Sequence, residues 1–205
     1  MNFTQLQHAI RAACMYLQQS SVIVFGSQAI LASYSDDQLP PAATMSREVD
    51  IYPMLALAGA ADPSEIEDQL TILNVHVGEE SDFHEIHGIF VEGVHRDTVI
   101  LPWHWETRFV SVHVEVSEST GKTFTRAGLC LHPLDLCVAK GLAGRPKDHA
   151  FVGALLSDGL IDAVEILDHM DKYGIDWPVE YPESAVNAEA ESRFRAWLAA
   201  QPPPL

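Results

Sequence analysis

Residues 21–27, Ser21-Val22-Ile23-Val24-Phe25-Gly26-Ser27, decide how the chain reads. A β-branched run that stops at Gly-Ser is a short buried strand meeting a turn. Glycine there lets the backbone approach a ligand closely. The helix expected next, over about residues 28–34, would offer free N–H groups to an anion, and Ser27 adds a hydroxyl. Upstream, residues 3–19 carry Leu6, Ile10, Ala13 and Leu17 at helical spacing. Downstream, residues 35–45 read as a Pro-rich loop, and 47–53 (Arg47-Glu48-Val49-Asp50-Ile51-Tyr52-Pro53) alternate as a strand ending in Pro. Residues two apart on a strand share a face, so Glu48 and Asp50 project together. Two carboxylates on one face repel unless a cation lies between them. Mg²⁺ suits that role, because it takes carboxylate and phosphate oxygens and keeps waters. Two metals about 3.5–4 Å apart would serve an in-line phosphoryl or nucleotidyl displacement. Singly, each motif has a plainer reading: a turn, and a solvated strand face.

The remaining chain predicts a mixed α/β half and then a helical half. Gly59 to Pro63 reads as a break, and Pro63-Ser64 opens a helix with Glu65, Glu67 and Asp68 in its first turns. Residues 85–94, 98–102 and 108–116 look like strands, and Gly121-Lys122 marks a turn before a strand over 123–131. His132-Pro133-Leu134-Asp135 begins a helix that Gly144-Arg145-Pro146 breaks. A helical pattern runs from about 147 to 172, with an interruption near 157–159. Residues 174–183 read as loop, 186–199 as an amphipathic helix, and Pro202-Pro203-Pro204 cannot continue it. The expected division is an α/β core over 1–131 and a C-terminal helical region over 132–205 packed on it.

Composition narrows the function classes. The chain has 205 residues, 47% of them hydrophobic, enough for a core without staples. Twelve Lys and Arg against 29 Asp and Glu give a net charge of −17. That argues against a duplex-DNA footprint, which needs clustered basic residues. No apolar run reaches the roughly 18 residues of a membrane span, and the polar start reads as no signal peptide. Cys14, Cys130 and Cys137 show no paired spacing, so free thiols in a reducing cytoplasm are expected.

Against so acidic a background, the cations of the stretch 134–148 stand out. Lys140, Arg145 and Lys147 could hold a triphosphate, Arg by bidentate contacts and Lys as a point charge. The plainer reading is a helix end with cations at its C-terminus. Ten His are many. His84 and His87 would lie together on a helix, although no third zinc ligand has matching spacing. Trp103 and Trp105 flank His104 and read as core or rim aromatics, with base stacking as the other option. Phe194, Trp197 and Leu198 would pack the last helix on the core, or expose an apolar face suited to a homo-oligomer.

Strand, Gly-Ser, helix, loop and then an acidic-x-Asp strand resemble the polymerase-β-type nucleotidyltransferase superfamily. The stretch 128–162, GLCLHPLDLCVAKGLAGRPKDHAFVGALLSDGLID, is similar to the "DL-x-x-x-K-L-x-A-G-R-x-K-D" segment of its DUF6036 group, related to AbiEii-type toxin nucleotidyltransferases. So are Val91-Glu92-Gly93-Val94, Ile100-Leu101-Pro102, Trp105 and Arg108-Phe109-Val110. The resemblance spans roughly residues 20–165. It implies a mixed sheet flanked by helices with a C-terminal helical part. It implies nucleoside triphosphate phosphates at Gly26 and Ser27, Mg²⁺ on Glu48 and Asp50, and a third carboxylate from Glu92 or Asp97, with Glu92 preferred. It also implies Lys140, Arg145 and Lys147 on the nucleotide, and Asp148 assisting the site. The group's first metal carboxylate is more often Asp, and here Glu48 is one methylene longer. The expected activity moves NMP to a hydroxyl of a protein, RNA or small-molecule acceptor, in a toxin–antitoxin setting, although a −17 surface would repel tRNA. Two rivals are a non-catalytic module of the same fold acting through a protein partner, and a metal hydrolase built on the His-rich middle.

Overall fold

The computed structural model describes residues 1–57, 62–117, 121–178 and 184–202. Helix α1 (Phe3–Tyr16) leads into strand β1 (Ser21–Val24) and a 3-10 turn over Ser27–Ala32. Helix α2 (Pro41–Thr44), β2 (Glu48–Pro53) and α3 (Met54–Leu57) follow, then α4 (Pro63–His76), α5 (Asp82–His87) and β3 (Phe90–Gly93). The two-residue β4 (Leu101–Pro102) precedes the hairpin of β5 (Val110–Ser117) and β6 (Thr123–Cys130). Helices α6 (Pro133–Ala143), α7 (Pro146–Ser157) and α8 (Ala163–Tyr173), the short β7 (Ile175–Asp176) and α9 (Ser184–Ala199) complete the order. The central sheet runs β3-β2-β1-β6-β5, and β4 pairs with β7 apart from it. β1 is antiparallel to β2 and parallel to β6, β2 is parallel to β3, and β5 is antiparallel to β6. This is the mixed sheet with flanking helices, followed by a helical stretch, that the sequence implied.

Local chemistry accounts for the element ends. The Asn2 side chain accepts from the Gln5 N–H while the Gln5 side chain accepts from the Asn2 N–H, a reciprocal cap that starts α1. The buried face of α1 (Leu6, Ala9, Ile10, Ala13 and Cys14) lies on the sheet. Gly128 of β6 makes room for it: a Cβ there would come 2.4 Å from Ile10 Cδ1. Pro133 opens α6, and Gly144, at φ 65°, closes it in the left-handed region. Pro146 opens α7 two residues later, so the chain reverses with almost no loop.

Five sequence readings change in the folded chain. Residues 85–94 are not one strand. Ser81 caps α5, Gly88 ends it at φ 67°, and only 90–93 pair with β2. The helix expected over 28–34 is a short 3-10 turn, and a one-turn helix that Pro41 opens interrupts the loop over 35–45. Within 98–102 only Leu101 and Pro102 form a strand; it pairs with β7, inside the segment read as loop. Residues 59–61 of the expected break, 179–183 of the expected loop, and Pro203 and Pro204 lie outside the described residues.

A buried ionic knot fastens the helical stretch. Asp135 on α6 is fully buried and accepts from Arg108 Nη2 at 2.6 Å and Arg108 Nε at 3.0 Å. His169 Nε2 of α8 lies 2.7 Å from the same carboxylate. The Arg108 guanidinium also stacks on the Tyr173 ring at 3.9 Å. Three segments distant in sequence therefore share one charge centre. The two tryptophans separate: Trp105 is buried against Phe25 and Phe109, whereas Trp103 is half-exposed. Phe194 and Leu198 of α9 are buried, with Phe194 over Gly141 of α6.

Candidate active site

β1 and β2 set the floor of the site. The Phe25 N–H donates to the Asp50 carbonyl at 3.0 Å, which holds the end of β1 against β2. Gly26 follows with an ordinary backbone conformation (φ −72°), so its role is steric. A Cβ there would lie 1.9 Å from Asp50 Oδ2, so only glycine leaves room for that carboxylate. Gln28, buried in the turn, donates through Nε2 to the Ser46 carbonyl at 3.2 Å and ties the Ser27 turn to the start of β2. Ser46 Oγ in turn accepts from the Glu48 N–H at 3.1 Å.

β3 brings the third carboxylate. In the parallel register Asp50 stands opposite Glu92, and Glu48 opposite Phe90. Carboxylate oxygens of Glu48, Asp50 and Glu92 lie within 4.8 Å of one another. Asp97, the other candidate, lies in a separate turn with its carboxylate 3.3 Å from His95 Nδ1.

The cations come from the α6–α7 corner. Asp148 is buried, with Arg145 Nε at 2.6 Å and Lys140 Nζ at 3.6 Å. One carboxylate thus spaces two positive side chains at the rim of a cavity of about 680 Å³. That cavity is lined by Gly26, Ser27, Glu48, Asp50, Glu92, Lys140, Arg145, Lys147 and Asp148 together. Most of the remaining wall is apolar and includes Phe25, Met45, Val99, Ile100 and Phe151. Its size suits a nucleotide-sized ligand.

A family model for a nucleotidyltransferase of unknown function, DUF6036, matches residues 1–181. The chain belongs to the DUF6036 family. No curated protein and no solved structure matches it. The match covers every element that lines the cavity of this DUF6036 protein and ends before α9.

The carboxylates of this family member perturb one another. Hydrogen bonding to Glu92 is the main cause that lowers Glu48. Burial, and then the Glu48 carboxylate, push Asp50 up to about 7. Glu92 rises to about 7, first through its hydrogen bond with Glu48 and then through burial. Three such groups cannot all carry charge without a counter-cation, so protons remain on the cluster near neutral pH. An all-oxygen set of this kind fits a hard divalent cation. Asp148 also raises Arg145, through their hydrogen bond, and the Glu48 and Asp50 charges add to that rise.

Some residues carry no direct signal in the sequence. Gln28 looks like an ordinary residue of the expected helix, Ser46 like a connecting residue, and the apolar wall like core. Asp135, quoted within the motif, lies outside the cavity lining and inside the ionic knot. His84 and His87 do share α5, but His84 Nδ1 accepts from the Glu80 N–H and His87 stacks on His8 and Phe83. Among the described residues, the metal-capable acidic or His cluster is the carboxylate one.

Proposed function

We propose that this DUF6036 protein is a Mg²⁺-dependent nucleotidyltransferase that moves NMP from a nucleoside triphosphate to a hydroxyl acceptor, releasing pyrophosphate. One observation carries the reading. Three carboxylates from two strands and three cations from one helix corner face the same cavity across Gly26-Ser27. Catalysis of this kind rests on positioning and charge rather than on covalent intermediates.

In this reading Glu48, Asp50 and Glu92 hold the metal. Mg²⁺ bound there would offset phosphate charge and favour the alkoxide form of the acceptor hydroxyl. Gly26 keeps the backbone low beside Asp50, and Ser27 donates its hydroxyl to a phosphate oxygen. Lys140 and Arg145, spaced by Asp148, offset charge on the leaving pyrophosphate, with Lys147 at the outer edge. The apolar wall formed by Met45, Val99, Ile100 and Phe151 takes the base without fixing its identity. The acceptor reaches the site through the open side of the cavity. A protein side chain or a small molecule suits the −17 charge better than a long RNA. A reducing cytoplasm, where such substrates are at hand, fits the three buried free thiols.

The test is calorimetry with the four NTPs, with and without Mg²⁺, on wild type and Asp50→Asn. Mg²⁺-dependent binding in the wild type, lost in the variant while the fold persists, supports the reading. Binding to no NTP, or binding unaltered by the substitution, refutes it and favours a non-catalytic module acting through a protein partner.

A further inference from the structure

The two edges of the central sheet differ in how they end. At the β3 edge the outward amides are already used: the Val91 N–H donates to the Val77 carbonyl at 2.8 Å, and the Gly93 N–H to Asn74 Oδ1 at 2.7 Å. At the β5 edge no such cover exists among the described residues. Ala127 and Leu131 of β6 donate toward β1, to Ser20 and Val24. The even-numbered residues of β6 therefore face β5, where they pair with Val110, Val112, Val114 and Val116. That leaves the backbone N–H and C=O groups of Ser111, His113, Glu115 and Ser117 pointing outward. The ladder is regular over eight pairs, with no bulge, and the strand has no Lys or Pro. Bulges, Lys and Pro are among the blocks that natural edges use.

The sequence of this edge is self-complementary. Residues 111–117 read Ser-Val-His-Val-Glu-Val-Ser, the same in both directions except that His and Glu exchange. We propose that β5 pairs antiparallel with β5 of a second copy of this chain, about a two-fold axis at Val114. In that register Ser111 meets Ser117, Val112 meets Val116, and His113 meets Glu115, each twice. The outward backbone groups fall in the hydrogen-bonded pairs, as the ladder geometry demands. The exposed side chains of His113 and Glu115 then form two imidazole–carboxylate contacts on one face of the sheet. An axis at His113 would instead oppose the two imidazoles, and one at Glu115 would oppose the two carboxylates. The contact is isologous, as a two-fold dimer requires, and joins two five-stranded sheets into one. No β5 residue lines the active-site cavity, so both cavities stay open and the inference is independent of the proposed chemistry.

Sedimentation of the full chain over a range of micromolar concentrations should show a reversible dimer. In that dimer the amides of Ser111, His113 and Glu115 should exchange more slowly with solvent. His113→Glu places carboxylates opposite one another twice and should weaken dimerisation roughly tenfold or more. Adding Glu115→Lys to that variant restores an opposite-charge pair only in the proposed register, and should recover the dimer. Both positions are exposed, so the monomer fold is expected to persist, which circular dichroism checks. A wild type that stays monomeric overturns the proposal. So does a dimer that leaves these amides unprotected, or one that the charge exchange does not move.

Discussion

Replacing Asp50 with Asn should stabilise the metal-free protein at alkaline pH, although it removes a proposed metal ligand. Asp50 sits part-buried between Gly26 and Glu48, and its pKa is pushed from 3.8 to about 7. A carboxyl whose folded-state pKa lies above its unfolded value favours the fold while protonated. That contribution is whole below about pH 4 and is lost as the pH rises through about 7. Between about pH 5 and pH 8 the unscreened loss is roughly 3 kcal/mol, and about half that once solvent screening is allowed for. Asn mimics the protonated acid, keeps a donor toward Glu48 and escapes the loss. The variant's advantage should therefore widen between about pH 5 and pH 8, by about 3–6 °C in melting temperature. Mg²⁺ should raise the wild-type melting temperature near pH 8 and leave the variant unmoved, which closes or reverses the gap. Thermal melts in chelator, followed by Mg²⁺ titration, check both halves. A variant that is no more stable than the wild type at alkaline pH, or a gap independent of pH, would refute the account of the cluster.

Gly26→Ala should spoil the same site sterically: its Cβ meets Asp50 Oδ2 at 1.9 Å, so Asp50 must turn away. Calorimetry should show Mg²⁺ affinity reduced at least tenfold, with the far-UV spectrum unchanged. Gly141→Ala drives a methyl to 2.0 Å from the Phe194 ring and should destabilise the chain by about 1–3 kcal/mol despite better helix propensity, read by denaturant unfolding. Arg108→Ala strips the fully buried Asp135 of its guanidinium partner, and should cost about 3–5 kcal/mol by the same measurement. An effect below about 1 kcal/mol would mean that the ionic knot is not a fastening.

Much of this protein was legible in one dimension because its signals are local. A β-branched run stopping at Gly-Ser, a caboxylate pair two residues apart on a strand, and Pro and Gly at helix ends each depend on a few neighbouring residues. So β1, β2, the hairpin of β5 and β6, and the start and stop of α6 follow directly from the sequence, as do the family motifs and the shared face of Glu48 and Asp50. Residues 85–94 misled because an apolar run shows no period that separates strand from helix. There the decision lay with Ser81 and Gly88, which cap and stop α5. Tertiary structure alone decided the rest. The β2–β3 register carried Glu92 rather than Asp97 to the cluster, since strand pairing joins residues more than forty positions apart. The buried pairing of Asp148 put Lys140 and Arg145 at the cavity rim, and the pull of Arg108 made Asp135 an anchor instead of a site residue. Gly26 illustrates both levels. Its place after a strand marked a turn, but its need to be glycine comes from a carboxylate on the next strand, through a contact that no local spacing encodes.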